Sequence, residues 1–234
     1  MDPLLDVLRT EQKYRLTEKE AARLSGVMSG VLHLDEYSKK GAYRVRSLYF
    51  DTPNDRDFYE KLDGYECRRK IRLRIYDPNA ESAKLELKEK QGSLQRKRSL
   101  ILPRKAAAQI CKGDYRPLVE NGSEFAMELY GRMEQYHYRP KCLVEYSRKA
   151  FAVPENDIRI TFDYDLRASE CCLELFQEKP ALYPVVIPGT VTMEVKFNRF
   201  LLSYVKKLLS LPAQTQTSAS KYVLARNQIL RKDY

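Results

Sequence analysis

Apolar and charged residues alternate with a period of two along much of this chain. In Arg68-Arg-Lys-Ile-Arg-Leu-Arg-Ile75 the even positions Arg68, Lys70, Arg72 and Arg74 are cationic, whereas Ile71, Leu73 and Ile75 are apolar. A strand sends successive side chains to opposite faces, so this segment predicts a strand with one basic and one greasy face. Lys84-Leu-Glu-Leu-Lys-Glu-Lys90 repeats the design, with Lys84, Glu86, Lys88 and Lys90 opposite Leu85 and Leu87. Ile158 to Asp163 sets Arg159, Thr161 and Asp163 against Ile158, Ile160 and Phe162. Val191 to Phe197 sets Glu194 and Lys196 against Met193, Val195 and Phe197, and near the N-terminus Glu11, Lys13 and Arg15 oppose Tyr14 and Leu16.

Helical patterns are fewer. Thr17-Glu-Lys-Glu20 reads as a capping box opening a helix that carries Ala21, Leu24, Val27, Met28 and Val31 on one face. Thr52-Pro53 is expected to cap a short helix containing Phe58 and Tyr59. Further helices are expected at Lys105 to Cys111, Glu124 to Gln135 and Phe200 to Leu211. A last one is expected from about Ala219 to Lys232, after a polar loop at Pro212 to Ser220. No internal repeat is visible, and too little chain follows that loop to fold alone, so residues 1–234 read as a single domain.

One amphipathic strand is an ordinary solvent-facing strand. Several strands with stacked Arg and Lys are a different matter, because like charges on neighbouring strands repel unless an anion lies between them. The arrangement that uses them is an antiparallel β-barrel with charged faces inward and apolar faces outward, under the helices. Its lumen is a basic, watery tunnel suited to a chain of phosphates. The fold class expected is therefore α+β: a barrel with helices packed outside and a C-terminal helix.

Composition narrows the partners. The chain has 234 residues, 43% hydrophobic and 32% charged, with 42 Lys+Arg against 32 Asp+Glu and a net charge of +10. Such an excess points to nucleic acid, an acidic membrane or phosphate chains. The 9 Gly and 11 Pro exclude fibrous classes. No apolar run reaches the roughly 18 residues of a membrane span, and no signal-peptide pattern is seen at the N-terminus, so a cytoplasmic location is expected. The five cysteines form no CxxC pair and imply neither zinc nor a disulfide framework, and two histidines cannot make a His-rich metal site. The familiar nucleotide-binding glycine motifs are missing. The 17 tyrosines invite a base-stacking role, but most alternate away from the basic faces. Tyr49 and Phe50 in particular read as core packing, and no nucleic-acid partner is expected.

The segments Glu11-Gln-Lys13-Tyr14, Ser47-Leu-Tyr-Phe-Asp51, Arg72-Leu-Arg74, Leu85-Glu-Leu-Lys88, Tyr146-Ser-Arg148-Lys-Ala-Phe151, Arg159-Ile-Thr-Phe-Asp163, Met193-Glu194-Val-Lys196-Phe197 and Ser220-Lys221-Tyr222 occur in that order. Together they resemble the catalytic domain of the vacuolar transporter chaperone (VTC) polyphosphate polymerases, in its stand-alone bacterial form. That domain is one of the triphosphate tunnel metalloenzymes, relatives of the CYTH proteins. The resemblance runs from about Arg9 to Ala225 and is weakest over Pro103 to Tyr138. It implies an antiparallel tunnel fold and metal-dependent transfer of the ATP γ-phosphoryl group to a growing polyphosphate chain, so ATP and inorganic polyphosphate are the implied partners.

By the same resemblance Arg72 and Arg74 bind the nucleotide's phosphates, and Lys88, Arg148, Arg159 and Lys196 add cations around the reacting groups. Lys13 sits on the tunnel wall and Lys221 at its end; Glu11, Lys70, Arg96 and Arg98 complete the substrate-binding set. Glu194 matches the glutamate that holds the divalent metal, Mn²⁺ or Mg²⁺. Glu86, Glu145 and Asp163 are expected on the same face, balancing charge. The wider superfamily has an ExExK motif in the first strand. Here only Glu11 and Lys13 are in place, with Arg9 where the earlier glutamate stands, a departure that fits polymerase members better than hydrolytic ones. A triphosphate or nucleotide hydrolase on the same fold, and a non-catalytic polyphosphate- or RNA-binding module, are the alternatives.

Overall fold

The computed structural model describes residues 9–92, 94–210, 215–218 and 220–230. Parts of the expected polar loop, and the far ends of the last two expected helices, lie outside the described residues. In chain order the elements are β1 (Arg9–Thr17), α1 (Glu18–Ser29), β2 (His33–Leu34), β3 (Tyr43–Asp51), α2 (Arg56–Leu62), β4 (Arg68–Ile75), β5 (Ser82–Gln91) and β6 (Leu94–Pro103). Then come α3 (Arg104–Ile110), α4 (Arg116–Asn121), α5 (Glu124–Gln135), β7 (Arg139–Val153), β8 (Ile158–Ser169), β9 (Tyr183–Pro184), β10 (Thr190–Asn198), α6 (Ser203–Leu209), β11 (Thr215–Gln216) and α7 (Lys221–Leu230).

The strands form a large antiparallel sheet with helices, an α+β fold, but among the described residues the sheet does not close into a barrel. Its end strands are β11 and β6. Closure needs a continuous ladder between end strands, and among the described residues β11 comprises Thr215 and Gln216. The expected barrel is corrected to an open sheet. Contacts divide the chain into two compact units. One comprises residues 1–44, 146–166 and 186–220; the other comprises 45–145, 167–185 and 221–234.

In the first unit the strand order is β11-β1-β10-β8, and β2 pairs with the end of β7 at Phe151 and Ala152. The apolar positions face one core: Leu16 from β1, Ile158, Ile160 and Phe162 from β8, and Val191, Met193 and Val195 from β10. Helix α1 lays Ala21, Leu24 and Met28 on this core, and α6 adds Val205 and Leu209. The capping box at Thr17 is formed: its hydroxyl accepts from Glu20 N–H, and the Glu20 carboxylate accepts from Thr17 N–H at 2.8 Å. Two orphan donors at the helix start are thereby satisfied.

In the second unit β3-β4-β5-β6 lie in order. Leu48, Phe50, Ile71, Leu73, Leu85, Leu87 and Leu102 face a core covered by Ala107 and Ile110 of α3, Leu118 of α4, and Ala126, Leu129 and Met133 of α5. Helix α5 spans the residues its periodicity predicts, while α4 carries no comparable pattern and is found only in the fold. Helix α2 starts later than the Thr52-Pro53 cap suggests, at Arg56. Thr52 still contributes, since its hydroxyl accepts from Arg56 N–H at 3.0 Å.

Candidate functional site

The ladder registers fix which side chains share a face, because residues directly opposite in an antiparallel pair point the same way. In the first unit three rows result. Lys13 is opposite Glu194, and Glu194 opposite Thr161; Glu11 is opposite Lys196, and Lys196 opposite Arg159; Arg15 is opposite Thr192, and Thr192 opposite Asp163. Glu11, Lys13, Arg159, Glu194 and Lys196 thus occupy one face, as the alternation predicts. Lys13 Nζ lies 2.8 Å from Glu11, and Lys196 Nζ lies 2.6 Å from Glu194. Arg148 of β7 joins this face through a bidentate pair, its Nε and Nη2 donating to the two Asp163 oxygens at 2.6 and 2.8 Å. Burial disfavours the Arg148 charge, but Tyr146, Asp163 and Glu194 outweigh it and lift its pKa well above the usual arginine value. Arg159 is steadied by Asp35 Oδ2 at 2.6 Å and by the Tyr43 hydroxyl at 3.2 Å.

Glu194 is 7% exposed, and Thr161, opposite it, is 4% exposed. Among the described residues the Thr161 hydroxyl is buried with no hydrogen-bond partner. A buried orphan oxygen is costly unless something fills its place. Among the described residues no group of three or more His, Cys, Asp or Glu side chains is gathered to hold a metal on its own. The donors that are present, the Glu194 carboxylate with the Thr161 hydroxyl beside it, suit a hard divalent ion. Such an ion takes one or two protein oxygens and completes its shell with water and substrate phosphate.

In the second unit the charged face is more one-sided. Arg72 is opposite Glu86, Lys70 opposite Lys88, Arg68 opposite Lys90 and Arg74 opposite Lys84 on β4 and β5. On β6, Lys97 is opposite Lys88 and Ser99 opposite Glu86. Three ammonium groups, Lys70, Lys88 and Lys97, therefore form one row across three strands. The carboxylate set among them is Glu86, 2% exposed. It takes Arg72 Nε at 2.7 Å, Arg74 Nε at 3.7 Å and Lys97 Nζ at 2.5 Å. Burial pushes the Glu86 carboxyl up, but Arg72, Arg74 and Lys97 overcome it and hold it far below the usual carboxylate range.

Several expected residues lie elsewhere. Arg98 and Arg96 sit in register with Leu87 and Glu89, on the core side of the sheet rather than the basic side. Arg98 pairs with Glu128 of α5 and with Glu89 at 3.1 Å, and its guanidinium covers the Phe125 ring at 4.7 Å. Arg132 closes the network at 3.0 Å from Glu89 and 3.1 Å from Glu128. These arginines fasten α5 to the strands. Glu145 pairs with the buried Arg46 at 2.6 Å. Lys221 is the first residue of α7.

Two residues not expected on the charged faces belong to them, Lys97 and Tyr49. The signal for Lys97 was available. Gln91 pairs with Leu94, and the chain turns at Gly92, φ +57°. That turn fixes the hairpin register and places Lys97 opposite Lys88. Leu100 and Leu102 have the parity of Arg96 and Arg98, so the alternation itself assigns those two arginines to the apolar side. Tyr49, read as core packing, is opposite Arg72 and lies among the basic residues.

No helix among the described residues is long and apolar enough to cross a membrane. No curated protein matches the chain. Solved structures resemble its backbone at very low identity. A putative adenylate cyclase from Bacillus halodurans shares 11% identity at a TM-score of 0.46, covering 95% of this chain and 87% of that one. The PH1819 protein from Pyrococcus horikoshii OT3 shares 10% at 0.47, covering 97% and 99%. The PH1012 protein from the same organism shares 14% at 0.45, covering 93% and 99%. The model of the VTC domain, by contrast, matches residues 8–230, a span that contains both charged faces, and the chain therefore belongs to the VTC domain family.

Proposed function

We propose that this protein is a metal-dependent polyphosphate polymerase that transfers the γ-phosphoryl group of ATP to the end of an inorganic polyphosphate chain. The observation that carries the reading is the Lys70-Lys88-Lys97 row beside Arg72 and Arg74, with Glu86 set among these cations. A polyanion with closely spaced charges is the ligand whose oxygens match a row of cations in register. Family membership supports the same substrate class.

In this reading Arg72 and Arg74 fork onto adjacent phosphates of the nucleotide. Lys70, Lys88 and Lys97 neutralise neighbouring oxygens. Lys13, Arg148, Arg159 and Lys196 serve triphosphate or polymer oxygens on the first unit's face, and Lys221 adds a cation at the start of α7. An oxygen of the terminal polyphosphate unit attacks the γ-phosphorus, the bond from that phosphorus to the β,γ-bridging oxygen breaks, and ADP leaves. The acceptor already carries its nucleophilic oxygen, so positioning and charge neutralisation suffice. Glu194 and Thr161 would hold Mn²⁺ or Mg²⁺; a bound divalent ion supplies charge neutralisation on phosphate oxygens. The partners are ATP and polyphosphate, in the cytoplasm.

Incubation with ATP and Mn²⁺ tests the reading. ADP together with long acid-labile chains is the expected result. Orthophosphate without polymer means a hydrolase, and binding without turnover, unchanged in Glu194→Gln, means a binding module; either overturns it.

A further inference from the structure

Arg72 is held at two points. Its Nε donates to Glu86, and its Nη1 donates to the Tyr49 hydroxyl at 3.2 Å. Tyr49 is 2% exposed, and Lys70 Nζ lies 5.7 Å from its ring centroid. The Tyr49 ring stacks on Tyr222 of α7, with centroids 5.1 Å apart and planes inclined at 26°. Tyr222 is itself fixed. It is 1% exposed, its hydroxyl donates to Asp51 Oδ2 at 2.7 Å, and Phe58 meets it edge-on at 6.4 Å. Asp51 does not move freely either, because it accepts the backbone N–H groups of Thr52, Asp57 and Phe58 at 2.7 to 3.0 Å. All these residues belong to the second unit.

A Tyr hydroxyl in a buried place needs a partner, and here the partner is a guanidinium. A guanidinium on a long side chain loses much rotamer freedom when a ligand binds it. Fixing it beforehand removes that cost from binding. We propose that Tyr49 and Tyr222 are positioning residues: Tyr49 orients the Arg72 guanidinium for phosphate, and Tyr222 holds Tyr49, so that docking of the first turn of α7 sets nucleotide affinity. This rests on the reading that Arg72 binds phosphate.

The test is calorimetric binding of tripolyphosphate to the full chain, together with steady-state kinetics on ATP. Tyr49→Phe keeps the ring and its stack but removes the acceptor. The expected result is an affinity loss and a KM increase of about three- to tenfold, the range for one hydrogen bond to a partly solvated charge, with kcat changed less than about twofold. In an Arg72→Ala background the same substitution is expected to have no further effect. Tyr222→Phe, which frees the ring from Asp51, is expected to raise KM in the same direction by a smaller factor. If Arg72→Ala weakens tripolyphosphate but Tyr49→Phe does not, or if the two losses multiply, the inference is overturned and the phosphate role of Arg72 stands. If Arg72→Ala leaves affinity unchanged, the phosphate role fails and the inference fails with it.

Discussion

Glu86 is the carboxylate around which the second unit's cations gather, so its removal tests the electrostatic argument directly. Glu86→Gln keeps the shape and deletes the charge. Breaking a buried ion pair by removing one partner costs about 3–5 kcal/mol. The partners here are unequal. Arg74 is 9% exposed and Arg72 23%, while Lys97 is 49% exposed and largely screened. The discounted cost is about 2–3 kcal/mol. At about 2–4 °C per kcal/mol for a chain of this size, Tm falls by about 4–12 °C. Phosphate should replace the missing charge. Saturating tripolyphosphate should therefore raise Tm more in Glu86→Gln than in the wild type, since the ligand meets cations that the carboxylate no longer competes for. Differential scanning fluorimetry with and without tripolyphosphate, at low ionic strength, reads both effects. A Tm within about 1 °C of wild type, or a ligand-induced shift no larger than that of the wild type, would refute the idea that Glu86 compensates a phosphate-binding face.

Other outcomes follow from the same structure. Lys97→Ala should weaken tripolyphosphate several-fold and flatten its salt dependence. Arg98→Ala should instead cost about 2–3 kcal/mol of stability and leave affinity within about twofold, which titration calorimetry and urea unfolding separate. Glu194→Gln should abolish Mn²⁺-dependent turnover while polyphosphate still binds in a filter assay. Thr161→Val should weaken Mn²⁺ binding, read by paramagnetic resonance of the free ion; unchanged binding with raised Tm would mean that the hydroxyl is merely unsatisfied. Asp57 gives a pH test. Burial, and then the neighbouring Asp51 charge, push its carboxyl up to about 8 although the Tyr138 hydroxyl donates to it at 3.0 Å. The folded state then keeps a proton that the unfolded state has released, so this contribution to stability is complete below about pH 4 and is lost as pH rises through about 8. The urea midpoint of Asp57→Asn should fall less between pH 5 and 8 than that of the wild type.

The strand alternation alone determined which residues of β1, β4, β5, β8 and β10 face the core and which carry charge, because a pleated strand has a fixed period of two. The capping box determined the start of α1, and a 3.6-residue stripe the full span of α5. Tertiary structure decided what pairing and register decide. Whether the sheet closes depends on its end strands, and among the described residues the strand path ends at β11 and β6. The side of the sheet on which Arg96 and Arg98 lie follows from the β5–β6 register, and Arg98 is held there by Glu128, on a helix some thirty residues away in sequence. Tyr49 carries no mark of its role, since a tyrosine beside Phe50 reads as core until β4 brings Arg72 opposite it and α7 lays Tyr222 against it. Local sequence encodes the face a side chain takes; its partner is set by elements distant in the chain, which meet only when the apolar faces have been buried.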